Sequence, residues 1–213
     1  MSDSWRQVAV PAARLPGWLN RFTARHGEPV ASLDTGTVVL TCPDLAVARL
    51  RLRWALVDLD DPLAALVATA QQPRRLGLLL VRRGRHAVGI WDQGLVRSRT
   101  ARHYVQGRTK AGGWSQQRYA RRREQQARHA FGKAAADAAT LLEPEVSRLD
   151  AVVLAGDPAG LEAVLADRRC AGLAALARSR PTDRVEVREP SRDALVDVVE
   201  QYNAVLVELN QHA

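Results

Sequence analysis

Cysteine is scarce. The 213 residues hold two, Cys42 and Cys170, far apart and outside any Cys-x-x-Cys pair. That supports neither a disulfide framework nor a cysteine zinc site, and each thiol is expected to be a small buried residue. Long apolar runs are absent: none approaches the roughly 18 residues of a membrane span. Met1 to Arg6 lacks the basic-then-apolar pattern of a secretory signal, so a cytoplasmic location is expected. There is no Walker loop, no Gly-x-Gly-x-x-Gly behind a strand and no His-Glu-x-x-His. The five histidines (His26, His86, His103, His129 and His212) are scattered, as surface or hydrogen-bonded residues are, rather than grouped as ligands. Neither a metal nor a cofactor is expected. No internal repeat and no low-complexity segment occurs.

Acid is missing from one long stretch. From Gln93 to Ala136 there are eleven Lys and Arg (Arg97, Arg99, Arg102, Arg108, Lys110, Arg118, Arg121, Arg122, Arg123, Arg128 and Lys133), and the only acid is Glu124. The chain's net charge is +8 and its pI about 10.6. This segment therefore carries +10 and the rest of the chain −2. Charge gathered in one place points to a polyanionic partner, either nucleic acid or an anionic membrane surface. Hydrophobic residues make up 46% of the chain, enough for one sizeable core or a core domain with an appendage.

The apolar periodicity predicts a helix over 11–26 closed by Gly27 and a strand over Thr37 to Thr41. It predicts a second strand within Leu45 to Leu56, where apolar residues alternate with Arg49, Arg51 and Arg53, and a helix over 62–72. Gln71-Gln72-Pro73 marks a joint, so residues 1–73 are expected as an N-terminal section, either part of the same domain or standing apart, and 74–213 as the principal domain. Leu76 to Val81 reads as a buried central strand. Ala87 to Trp91 and Leu95 to Tyr104 complete a three-stranded meander. A Gly-rich basic loop follows over 106–117, then a long basic helix over 115–142. Beyond it come a strand at Ala151 to Ala155, helices near 160–166 and 173–177, a strand at 185–188 and a closing helix over 191–210. The fold class expected is α/β, a mixed sheet layered with helices.

On a helical wheel, Arg118, Arg121, Arg122, Arg128 and Lys133 fall within an arc of roughly 140°. Tyr119, Ala120, Ala127, Ala130, Phe131, Ala134, Ala138, Leu141 and Leu142 fall opposite, and Arg123 lies off the stripe without explanation. The alternative to a nucleic-acid surface is a solvated face, but such faces usually mix signs, and Arg118 with Arg122 is a like-charged i,i+4 pair. In the loop, Gly112-Gly113 frees the backbone for positive φ, with Arg108 and Lys110 as positive shoulders. Trp114 is either a platform for a base or an anchor for the loop. Glu124 suits an in-helix partner for Arg121 or Arg128, and Asp157 suits a turn.

The run VQGRTKAGGWSQQRYARRRE, residues 105–124, resembles the loop and helix of the catalytic domain of archaeal and eukaryotic class-1 peptide-chain release factors. Gly112, Gly113, Ser115, Arg118, Ala120, Arg121 and Arg123 match that pattern in register, Tyr119 replaces the aromatic, and Glu124 falls one place early. LGLLLVRRGRHAVGIWDQGLV upstream and VLAGD downstream are similar to strands of the same domain, so the resemblance covers about residues 74–160. It implies a release-factor catalytic-domain (RNase H-like) core. Trp114 stands where the release factors carry their glutamine. The displaced Ser115-Gln116 is similar to the Gly-Gly-Ser-Gln of the Vms-type relatives, which cleave peptidyl-tRNA on stalled, split large ribosomal subunits. The eukaryotic members' zinc finger and ankyrin repeats, and the release factors' stop-codon-reading domain, have no counterpart in this chain.

The resemblance implies hydrolysis of the peptidyl-tRNA ester without stop-codon recognition. Gly112, Gly113, Ser115, Gln116 and Gln117 would form the catalytic motif, with Gln116 favoured over Gln117. Arg108, Lys110, Trp114, Arg118, Arg121, Arg122, Arg128 and Lys133 would hold RNA. The partners implied are the large ribosomal subunit, its rRNA and peptidyl-tRNA. The rival reading is a non-catalytic ribosome- or RNA-binding module. A metal-dependent nuclease would need clustered carboxylates that the basic half lacks. A membrane-surface role is disfavoured because the face opposite the arginines is mostly alanine.

Overall fold

The computed structural model describes residues 5–57, 60–103, 114–179 and 185–213, except the side chains of 114–120 and 123. In chain order the elements are β1 (Arg6–Val10), α1 (Leu15–His26), β2 (Val30–Asp34), β3 (Thr37–Thr41), β4 (Val47–Arg51), α2 (Pro62–Gln71), β5 (Arg75–Arg82), β6 (Arg85–Asp92), β7 (Leu95–Arg102), α3 (Trp114–Leu141), β8 (Ala151–Gly156), α4 (Pro158–Leu165), α5 (Ala171–Ser179), α6 (Arg192–Asn203) and β9 (Val205–Leu209). The chain forms two compact units, one of residues 1–72 with 200–213 and one of residues 73–199. Each unit has its own sheet, so the architecture is mixed α/β.

The first unit's sheet is antiparallel throughout, in the order β1-β9-β4-β3-β2. Alternation along the strands decides its faces: Val38, Leu40, Ala48, Leu50, Val205, Val207 and Leu209 are buried, whereas Arg49 and Arg51 are exposed. Leu15 and Phe22 of α1 and Leu66 of α2 close the core. Helix α2 starts at Pro62 because Asp61 accepts hydrogen bonds from the backbone N–H groups of Leu63 and Ala64.

The second unit's sheet has the order β7-β6-β5-β8, with β5, β6 and β7 antiparallel and β8 parallel to β5. Leu79, Val81, Val88 and Ile90 of the sheet pack with Ala134, Ala138, Leu141 and Leu142 of α3, Leu161 and Val164 of α4, and Leu173 of α5. The run Leu76 to Val81 is buried along its whole length, as a central strand requires. At the end of β8, Gly156 has φ +105°, and a Cβ there would lie 2.1 Å from the Val81 carbonyl oxygen. Only glycine fits that turn. Asp157 then caps α4 by accepting from the Ala159 N–H. Among the described residues, no helix is long and apolar enough to cross a membrane.

Several expectations change. The closing helix expected over 191–210 stops at Asn203, and Val205–Leu209 is a strand between β1 and β4. The extent 74–213 expected for the principal domain is therefore shorter at its C-terminal end, because backbone pairing carries residues 200–213 into the first unit. Strands β1 and β2 were not expected: neither RQVAV nor VASLD alternates clearly, and both lie at the sheet's edges, where one side is wet. The strand expected at 185–188 is a single bridge, Val185 to Ala155. The loop expected over 106–117 gives way to helix at Trp114, since Trp, Ser and Gln are ordinary helix formers whereas each glycine costs about 1 kcal/mol relative to alanine.

Candidate nucleic-acid interface

Helix α3 runs through 28 residues, about 42 Å at 1.5 Å per residue. Ala127, Ala130, Ala134, Ala135, Ala138 and Leu141 are buried, with Phe131 partly buried against the same core. Arg121, Arg122, Arg128 and Lys133 are all exposed. Glu124, 3.9 Å from Arg128 across one turn, is exposed too, and such a pair contributes little in water. One face of the helix is thus fixed in the core while the other presents guanidinium and ammonium groups to solvent.

Trp114, Ser115, Gln116, Gln117 and Arg118 occupy the first turns of α3, with their side chains outside the described residues. Arg108, Lys110, Gly112 and Gly113 also lie outside the described residues. Position 117 is one turn before Arg121. By the 100° step, position 116 continues the line of Ala127 and Ala134 instead.

Two arginines of the basic segment are spent internally. Arg97 reaches Glu145 at 3.1 Å, where Arg75 and Arg148 also converge, and Arg99 reaches Asp137 at 3.0 Å. Asp137, on α3, also lies 2.8 Å from Nε2 of the buried His86 on β6. Burial pushes the Asp137 carboxyl up, but the hydrogen bonds from His86 and Arg99 outweigh it and hold it below the usual carboxylate value. His103 stacks on His86, ring centroids 5.4 Å apart. Burial, then the charges of His86, His129 and Lys133, push the His103 imidazole below its ordinary value. These groups lock the root of α3 against β6 and β7. Sequence reading missed them because their partners lie up to 51 residues apart.

Alongside α3, Arg122, Gln125, Gln126 and His129 line one wall of an open groove of about 540 Å³, and Arg102 and His103 line the other. Among the described residues, its lining offers hydrogen-bond donors and positive charge and no carboxylate. That arrangement suits a polyanion backbone. Among the described residues, no three His, Cys, Asp or Glu side chains gather as a metal site.

The model of the Actinobacteria/chloroflexi VLRF1 release factor family matches residues 74–208. No curated protein matches the chain. Among solved structures, the chain is similar to the archaeal translation termination factor aRF1, at 14% identity and TM-score 0.46, covering 93% of this chain and 64% of that one. It is similar to an archaeal protein at 14% identity and TM-score 0.39, covering 92% and 63%, and to Pelota of Archaeoglobus fulgidus at 12% identity and TM-score 0.35, covering 93% and 62%. The chain thus spans less than two thirds of the length of each of these three structures. The family match covers well over half of the chain, and the chain belongs to the Actinobacteria/chloroflexi VLRF1 release factor family.

Proposed function

We propose that the chain hydrolyses the ester joining a nascent peptide to tRNA on stalled large ribosomal subunits, in the cytoplasm and without reading a stop codon. This makes it a peptidyl-tRNA hydrolase of ribosome-associated quality control, built on a release-factor catalytic-domain (RNase H-like) core. The observation that carries the reading is the mounting of the motif. Gly112-Gly113 immediately precedes a 28-residue helix whose later turns are fixed in the core and whose exposed face is cationic from Arg121 to Lys133.

Ester hydrolysis needs a water aimed at the carbonyl carbon and donors for the developing oxyanion. A glutamine amide has no useful pKa, so it serves as an aligning group: its oxygen accepts from the water and its NH₂ donates to an oxygen. Alignment of this kind is worth several kcal/mol as effective molarity. Gln116 and Gln117 are the candidates for that role, with Gly112, Gly113 and Ser115 shaping the tip. Arg108, Lys110, Arg118, Arg121, Arg122, Arg128 and Lys133 hold phosphates of rRNA and tRNA, and Trp114 stacks on a base. No cofactor takes part.

The test uses the full chain with large subunits carrying labelled peptidyl-tRNA. Wild type releases the peptide, and Gln116→Ala or Gln117→Ala, whichever removes the aligning amide, abolishes release while leaving subunit binding intact. Full release by both variants would refute the glutamine mechanism. Tight subunit binding by wild type with no release would establish the non-catalytic RNA-binding module instead.

A further inference from the structure

The positive charge is not confined to the segment 93–136. In the second unit, the turn between β5 and β6, the end of β7 and the segment 188–190 enclose a second open groove, of about 860 Å³. Arg82, Arg83, Arg85, Arg102 and Arg188 line it, and Glu189 is the one acid among the described residues of the lining. Glu189 Oε1 is 2.5 Å from Arg85 Nη1 and 3.9 Å from Arg102 Nη2, so one carboxylate is shared by two guanidinium groups. Among the described residues, Arg82, Arg83 and Arg188 have no carboxylate within 4.0 Å. Five guanidinium groups against one carboxylate leave this groove at +4.

We infer that this groove is a second RNA-backbone site, which extends the cationic surface beyond the helix stripe. Three features support it. First, the groove is built on a fixed frame: Gly84 turns at φ +85°, and its carbonyl accepts from the His103 N–H at 2.6 Å. Second, among the described residues its uncharged lining is Gly84, Pro190 and His103. An acidic protein partner would be expected to meet apolar anchors as well as charge, whereas a phosphodiester backbone asks for guanidinium forks alone. Third, Arg102 and His103 line both this groove and the one along α3. The cationic surface therefore continues from the β5–β6 turn to Arg122 as one track. The site binds RNA whether or not the ester is cleaved, so its test is independent of the release assay.

The test is the salt dependence of binding, with the full chain titrated separately against labelled tRNA and against large ribosomal subunits. Each phosphate contact contributes about 0.7 (single strand) to 0.9 (duplex) to the slope of log K against log salt. Arg83→Gln with Arg188→Gln is expected to reduce that slope by about 1.4–1.8, while Arg83→Lys with Arg188→Lys largely keeps it. Glu189→Gln, which removes the groove's one negative charge, is expected to tighten binding. Loss with tRNA assigns the phosphates to tRNA; loss with subunits alone assigns them to rRNA. Unchanged slopes for the Gln pair on both RNAs overturn the proposal. Were the Gln pair to unfold the chain, Glu189→Gln decides, and no gain in affinity for either RNA overturns it equally.

Discussion

His86 Nε2 lies 2.8 Å from Asp137 Oδ2, joining strand β6 to helix α3 across 51 residues of sequence. The other Asp137 oxygen receives Arg99 from β7 at 3.0 Å. One carboxylate therefore fixes the long helix to two strands. Asp137→Asn leaves the buried His86 poorly matched and weakens the tie to the exposed Arg99, and is expected to cost about 1–3 kcal/mol at neutral pH. The folded carboxyl holds its proton less readily than the ordinary value of 3.8. Its contribution is therefore complete above about that pH and is lost as pH falls through the lower folded value. Urea unfolding of both proteins at pH 7 and in steps downward from pH 3.8 checks this: the gap narrows towards the acid end.

His103 behaves in the opposite sense. Burial depresses its folded value below 6.5, so the unfolded chain takes up the proton first as pH falls. Stability is thus lost on going below pH 6.5, towards the depressed folded value. His103→Gln removes this term. The stability curves of wild type and variant should run parallel above pH 6.5 and converge or cross below it, with the variant losing less.

Gly160 sits where α4 passes both β5 and α3. A Cβ there would lie 2.7 Å from Val81 Cγ1 and 2.8 Å from Phe131 Cε1. Alanine gains about 1 kcal/mol of helix propensity, but overpacking of this kind costs about 1–3 kcal/mol. Gly160→Ala is expected to lower the urea midpoint with little change in m-value, whereas Gly132→Ala on α3, where a Cβ meets nothing within 4 Å, should stabilise.

Arg121, Arg122 and Arg128 are exposed on one face of α3. Changing all three to Gln should flatten the salt slope of RNA binding by about 2–3 and leave the thermal midpoint nearly unchanged, as surface charges contribute little to folding. Loss of fold without loss of slope would show that these residues serve packing instead.

Strand β9 pairs with both β1 and β4. A chain ending at residue 199 removes the strand between β1 and β4 and uncovers the core around Leu50 and Leu40. Amide exchange on such a fragment should find strands β5 to β7, the core-packed turns of α3 and residues 151–165 protected, and strands β1 to β4 open. Protection throughout the first unit would show that its remaining strands hold without β9.

The sequence determined more about the second unit than about the first. Leu76 to Val81 is a short apolar run bounded by arginines and Gly84, too short for a typical helix and of the length of a buried strand. The alanine line of α3 and the arginines opposite it follow from a single 3.6-residue period, so the packed and wet faces of Arg121 to Leu141 were legible without coordinates. Local pattern acts over one turn or one strand, and there it is decisive. Tertiary structure decided the rest. VLVEL satisfies the end of a helix as well as a strand, and only the open backbone edges of β1 and β4 select the strand. Likewise, the arginines of the β5–β6 turn, Arg102 and Arg188 stand apart in sequence. They share a groove because the β5–β6 turn, the end of β7 and the segment after Val185 meet at one end of the sheet. Charge adds up across space, and residue spacing along the chain does not record it.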